Sequence, residues 1–126
     1  MDNPVLDLTF TATEAIPAFR FVRITGDREV DLCGSGERPD GISQEPTLVI
    51  GRSINVRLLG VSWLEAGATL AGGASVGSDT NGRGATASGA GAYAGARCRL
   101  GVTLPATPLG TERASVVLTG PFTLPG

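Results

Sequence analysis

Gly73-Ala74-Ser75-Val76-Gly77 has the spacing of a nucleophile elbow, in which a tight strand-to-helix turn lifts a serine clear of a sheet. The chain contains no histidine, so no imidazole can take the serine proton, and no helical period follows Gly77. The chemistry excludes a hydrolase of that kind. Asp79-Thr80-Asn81-Gly82 opens like a calcium loop, but position twelve, which must supply a bidentate glutamate, is Ala90. A turn is the better reading. Gly82-Arg83-Gly84 and Gly89-Ala90-Gly91 imitate phosphate-cradling glycines without the flanking strand and helix such a loop needs. Glu14, Glu37, Glu45, Glu65 and Glu112 are scattered, and no spacing pairs two of them for acid–base work. Cys33 and Cys98 make neither a disulfide framework nor a metal site by themselves, and read as buried free thiols. The expectation is a protein with no catalytic, cofactor-binding or metal-ligating residues, hence no cofactor and no enzymatic activity.

Trp63 is different in kind, being the single tryptophan. It reads either as a core residue with its N–H bonded to a carbonyl, or as an interface anchor of the kind enriched where subunits meet. The elements that must position it are strands. In Ser53–Leu64, Ile54, Val56 and Leu58 alternate with Asn55, Arg57 and Leu59, the period of a half-buried strand. Gly60 breaks the pattern, and Val61, Trp63 and Leu64 lie beyond it. Arg113–Gly120 repeats the spacing with Ala114, Val116 and Leu118. Gly41-Ile42-Ser43 and Gly101-Val102-Thr103 recur at the same offset of 60 residues (116 − 56, 101 − 41). Ala15–Ala18 matches Ala68–Ala71 at an offset of 53 (68 − 15). The sequence therefore predicts one β-unit written twice, with seven extra residues (60 − 53) placed in the Gly/Ala-rich run 82–95, an exposed loop.

Further strands are expected at 19–25 and 29–32 around a Gly26-Asp27 turn, and at 97–104, where Cys98, Leu100, Val102 and Leu104 face inward. Residues 4–11 also alternate. With Glu14 and Pro17 behind it, this segment reads either as an ordinary first strand or as an extended N-terminal arm that presents Leu6, Leu8 and Phe10 to a neighbour. The domain plan is a single β domain over 1–126: an arm at 1–14, a first pseudo-repeat at 15–64, a second at 65–120 and a tail at 121–126. Pro121 and Pro125 bar that tail from a central strand.

Hydrophobic residues are 41% of the chain but aromatics only 5%, so small aliphatic side chains must fill the core. Nineteen Gly and eight Pro cut the chain into short pieces, and no segment holds a helical period for three turns. An all-β domain follows. A net charge of −2 without a basic run points away from nucleic acid. The first residues carry no basic n-region, and no apolar run reaches about 18 residues. Synthesis in a cytoplasm-like compartment and no membrane association are expected.

The chain resembles the small capsid cement, or head decoration, proteins of tailed bacteriophages. The resemblance rests on Ala15-Ile16-Pro17-Ala18-Phe19-Arg20-Phe21-Val22-Arg23 with Gly26-Asp27, then on Pro39-Asp40-Gly41-Ile42-Ser43. Val56-Arg57-Leu58-Leu59-Gly60-Val61, Leu64-Glu65-Ala66-Gly67-Ala68 and Gly101-Val102 complete it. It covers roughly residues 12–120. It implies a small antiparallel β-barrel or tulip built from two pseudo-repeats, a homotrimer without catalysis, bound to the major capsid protein on the outside of the virion. Leu6, Leu8, Phe10 and Trp63 are the candidate capsid or subunit contacts. The rival from another class is a carbohydrate- or host-binding surface module, which would expose several aromatics together.

Overall fold

The computed structural model describes residues 6–47, 49–87, 92–105 and 112–123. Among them are nine strands and no helix. β1 (Leu6–Ala12), β2 (Phe21–Gly26), β3 (Glu29–Leu32), β4 (Gly41–Ser43) and the first half of β5 (Ser53–Glu65) form a closed five-strand barrel in the order β1-β3-β2-β4-β5. β1 closes it, lying antiparallel to β5 from Leu6–Leu59 to Thr11–Ser53 and parallel to β3 at Thr11–Glu29 and Ala12–Val30. The N-terminal segment is thus a wall strand of its own barrel, which corrects the arm that pairs outside the subunit. The reason is closure itself: without β1, both β3 and β5 would present unpaired edges to water. Glu14 and Ile16 are not linker either. Glu14 Oε2 accepts the Leu32 N–H at 3.2 Å, and Ile16 is fully buried opposite Thr47.

β6 (Ser75–Ser78), β7 (Gly84–Thr86), β8 (Tyr93–Leu100), β9 (Arg113–Thr123) and the second half of β5 repeat the circuit. β5 pairs with β9 from Gly60 to Glu65, and a parallel bridge from Ala66 to Gly84 brings β7 back to the end of β5. Every pairing has its counterpart. Ala12–Val30 becomes Ala66–Gly84, 54 residues on (66 − 12); Val22–Leu32 becomes Val76–Thr86, also at 54 (76 − 22). Phe21–Ile42 becomes Ser75–Arg97, and Phe10–Ile54 becomes Leu64–Ala114. The second half of β5 therefore stands where β1 stands in the first barrel. One strand serves as the last of one barrel and the first of the next, with Gly60 (φ +109°) at the joint. The repeats meet at that glycine, not between 64 and 65.

The offset grows from 54 to 55 between β7 and β8 (97 − 42), and to 60 only at β9 (114 − 54). One extra residue, not seven, falls within 82–95. Gly101–Thr103 is likewise not the partner of β4, whose counterpart is Ala96–Cys98; Val102 instead bridges Leu70 as Thr47 bridges Ile16. The run 82–95 holds β7 and the start of β8, so it is not one exposed loop. Residues 88–91 of the run lie outside the described residues, and two of its other glycines are packing residues: a Cβ at Gly84 would lie 2.7 Å from Leu64 Cδ2, and one at Gly95 2.8 Å from Pro39 Cγ. Leu100 also departs from the expected alternation and is exposed, because a register shift separates it from Cys98. β9 runs on through Pro121, where past Leu118 it has only β8 beside it and a register shift to absorb the missing N–H.

Each barrel has its own core. The first holds Phe10, Ala12, Ile16, Val22, Val30, Ile54 and Val56. The second holds their counterparts Leu64, Ala66, Leu70, Val76, Ala114 and Val116, with Ala96, Cys98 and Leu118. Phe21, Cys33 and Ile42 come from the first barrel but pack into the second core, which makes the two barrels one body. Burying each large aliphatic side chain contributes roughly 1.5–3 kcal/mol.

Candidate contact surface

The barrels share a charged joint. Arg20 Nε donates to Glu65 Oε2 at 2.7 Å, both side chains being largely buried, and Arg20 Nη1 donates to the Asn81 carbonyl at 3.0 Å. Arg83 Nε lies 3.8 Å from the same Glu65 oxygen and has no hydrogen-bond partner of its own. The Glu65 N–H donates to the Phe19 carbonyl and the Phe21 N–H to the Gly82 carbonyl, so a piece of the first barrel is stitched into the wall of the second. Phe19 takes a left-handed backbone (φ 60°), and Arg113 stacks over its ring at 4.6 Å. This cluster holds structure together. Its central pair, Arg20 and Glu65, is largely buried in the joint.

The reactive-looking motifs resolve the same way. Ser75 opens strand β6, with no helix after it among the described residues. Asp79 Oδ1 accepts the N–H groups of Asn81 (2.8 Å) and Arg83 (2.9 Å), and Gly82 has φ +76°: it is the turn between β6 and β7. Cys33 and Cys98 are buried free thiols. Burial pushes the Cys33 thiol up to about 11, away from a nucleophilic range. Among the described residues no group of three or more His, Cys, Asp or Glu could hold a metal ion.

What remains is the outward face of β5. Its odd-numbered residues from Ser53 to Trp63 lie outside both core clusters, and Trp63, 49% exposed, stands on that face. It lines a shallow groove with Gln44, Arg57, Val61, Arg99 and Ser115. Arg57 is fixed across the β1–β5 ladder: Nε and Nη2 reach the two Asp7 oxygens at 2.8 and 3.0 Å, and Nη1 donates to the Val61 carbonyl at 2.8 Å. Its pKa is raised, first by that hydrogen bond to Asp7. Gln44 Nε2 donates to the Ile42 carbonyl and to Ser62 Oγ. Arg99 Nε donates to Ser115 Oγ at 3.0 Å. The tryptophan thus sits between side chains that are already ordered.

The other expected contact residues divide. Leu6 (41% exposed) faces its cross-strand partner Leu59 (42%), and Leu8 (46%) lies opposite Val56 near the barrel mouth. Phe10, opposite Ile54, is only 8% exposed and belongs to the core. Its place on the candidate surface is corrected accordingly: the alternation of 6, 8 and 10 is real, but the barrel covers its far end. Leu59 and Trp63 are four residues apart on one strand, roughly 13 Å at the rise of a strand. Leu59 and Arg99 were missed. The available signal was an apolar residue at an outward position of β5, beside Asn55 and Arg57.

Comparison with known proteins places this surface in context. Among curated proteins no relative matches the chain. The fold is similar to a crystal structure of the head fiber gp8.5 N base in bacteriophage phi29, with a TM-score of 0.70 and 14% identity, covering 92% of this chain and 95% of that one. That likeness concerns the fold. The family model of the phage cement protein matches residues 1–118, nearly the whole of both barrels. A two-barrel β-protein with an ordered, partly apolar outward face and no reactive centre among its described residues is, by that match, a member of the phage cement protein family, a virion-associated structural protein that binds the capsid.

Proposed function

We propose that the chain attaches to the outside of an assembled phage head, where it contacts the major capsid protein as a homotrimer and reinforces the lattice without catalysing any reaction. The observation that carries this is the family match over residues 1–118. The physical mechanism is linkage: a protein that binds the mature lattice and not its separated subunits stabilises that lattice by mass action. The exposed Leu6, Leu8, Leu59 and Trp63 supply apolar area that a subunit or capsid contact would remove from water. The rival reading, a carbohydrate- or host-binding module, needs exposed aromatics grouped together, and the two exposed aromatics among the described side chains stand apart. Tyr93 and Trp63 pair with Thr123 and Ser115 of β9, eight residues apart (123 − 115), a separation of roughly 26 Å.

The test is co-sedimentation of the purified protein with undecorated heads, followed by heating of decorated and bare heads side by side. Saturable binding and a higher disruption temperature for decorated heads are expected. Binding to dissociated capsid subunits equal to that on heads would overturn the cement reading. Light scattering of the free protein at micromolar concentration distinguishes a preformed trimer from one assembled on the shell.

A further inference from the structure

The two barrels can be compared position by position, and they treat surface charge differently. Three of the first barrel's surface arginines are paired within it, whereas Arg28 and Arg52 are in no ion pair among the described residues. Asp7 holds Arg57; Asp31 and Glu37 hold Arg23 at 3.1 and 3.0 Å; Asp40 holds Arg38 at 3.1 Å. In the second barrel the counterparts of Asp7 and Arg57 are Val61 and Val117, cross-strand partners on β5 and β9. The counterpart of Thr9 is Trp63, since β1 and the end of β5 are 54 residues apart (66 − 12). The counterparts of Ile42 and Gln44 are Arg97 and Arg99, at the β4-to-β8 offset of 55 (97 − 42). Both arginines are exposed, and among the described residues no carboxylate lies within ion-pair distance of either. On a chain of net charge −2, the second barrel carries a tryptophan, two valines and two unneutralised arginines on one face.

We propose that this face, centred on Trp63 with Arg97 and Arg99, docks an acidic segment of the capsid protein. The inference rests on the capsid-binding reading above and names the chemistry of that contact. Complementarity chooses the occupant. An apolar partner would bury the arginines without counter-charges, which costs free energy. A carboxylate-bearing segment pairs them while its backbone or an apolar neighbour covers the indole. Two lining residues are held before docking: Arg57 by Asp7 and the Val61 carbonyl, and Gln44 by the Ile42 carbonyl and Ser62. Little side-chain entropy is lost at those two residues on docking.

The experiment uses the full chain and undecorated heads, with Trp63→Ala, Arg97→Glu/Arg99→Glu and Arg99→Lys, and with Arg52→Glu as a charge-changing control on the first barrel. Melts by circular dichroism should be unchanged, since these side chains point outward; if Trp63→Ala lowers the melt, Trp63→Gln replaces it. Trp63→Ala and the double reversal should each weaken head binding by about tenfold or more. Arg99→Lys should retain most of it and Arg52→Glu all of it. Wild-type binding should weaken between about 50 and 500 mM NaCl, and binding by the double reversal should change less. Binding by the tryptophan and double-arginine variants equal to that of the wild type would overturn the inference and leave the capsid-binding reading standing. Failure of the wild type to sediment with heads would overturn both. Loss of self-association in light scattering with head binding intact would assign the face to a second copy and also overturn the proposal.

Discussion

Glu65→Gln is the perturbation that most directly probes how the barrels are joined. The carboxylate is buried and receives Arg20 at 2.7 Å, with Arg83 at 3.8 Å. Removing its charge leaves the Arg20 guanidinium in a site with little solvent and only neutral acceptors, the glutamine oxygen and the Asn81 carbonyl. Breaking one partner of a buried pair costs about 3–5 kcal/mol. The lower figure applies because glutamine still offers Arg20 a neutral oxygen. An unfolding entropy near 2.1 cal/mol/K per residue gives roughly 0.26 kcal/mol/K for a chain of 126 residues. About 3 kcal/mol then lowers Tm by roughly 11 °C. The assay is a circular dichroism melt of wild type, Glu65→Gln, Arg20→Met and the double variant. The double variant should lose less than the two single losses added together, because neither member of the Arg20–Glu65 pair is left charged without the other. A Tm change below about 3 °C for Glu65→Gln, or simple additivity in the double variant, would refute the reasoning.

Removing residues 1–12 should abolish the fold of the first barrel, since it takes away the strand that closes it and buried Phe10 and Ala12; loss of cooperative unfolding is the expected melt. Val56→Asp and Val116→Asp place an unpaired charge at equivalent positions of the two cores, and each should cost more than about 4 kcal/mol, read by urea titration. Cys33 should resist thiol reagents at pH 8 in the native state and react on unfolding. Its thiol ionises near 11 when folded, against an ordinary value of 9.0 once the chain unfolds. The contribution is therefore intact below pH 9 and declines as pH rises from about 9 toward 11, by up to about 3 kcal/mol. A Cys33→Ala variant should show a flatter loss of stability over that alkaline range.

Much of this architecture was legible in the residues. The alternation in Ser53–Leu64 and its echo at Ala114, Val116 and Leu118 locate β5 and β9 and announce the duplication. The joint was harder to see. Gly60 reads as a break, and a glycine with positive φ inside a continuing strand looks the same in sequence as a glycine that ends one. Phe21, Ile42 and Cys33 gave no sign that they fill the neighbouring barrel's core, because alternation tells which residues share a face and not what covers it. The Gly/Ala run misled for a related reason: composition cannot separate a glycine needed for mobility from one needed because a Cβ would strike Leu64 or Pro39. Of the contact residues, Trp63 was marked by its rarity, while Arg99 stands out only once the repeats are aligned strand by strand.

The shared strand has a mechanical consequence. A load applied to one barrel travels along β5 without crossing a loop, since the same backbone is hydrogen-bonded to β1 on one side of Gly60 and to β9 on the other. Pulled along its axis, such a rod is loaded in shear. The bonds on both ladders must then yield together, where a linker between two beads would stretch first and leave each bead to open alone. For a clasp on a container filled under tension, this geometry turns two small, thinly cored barrels into one stiff tie.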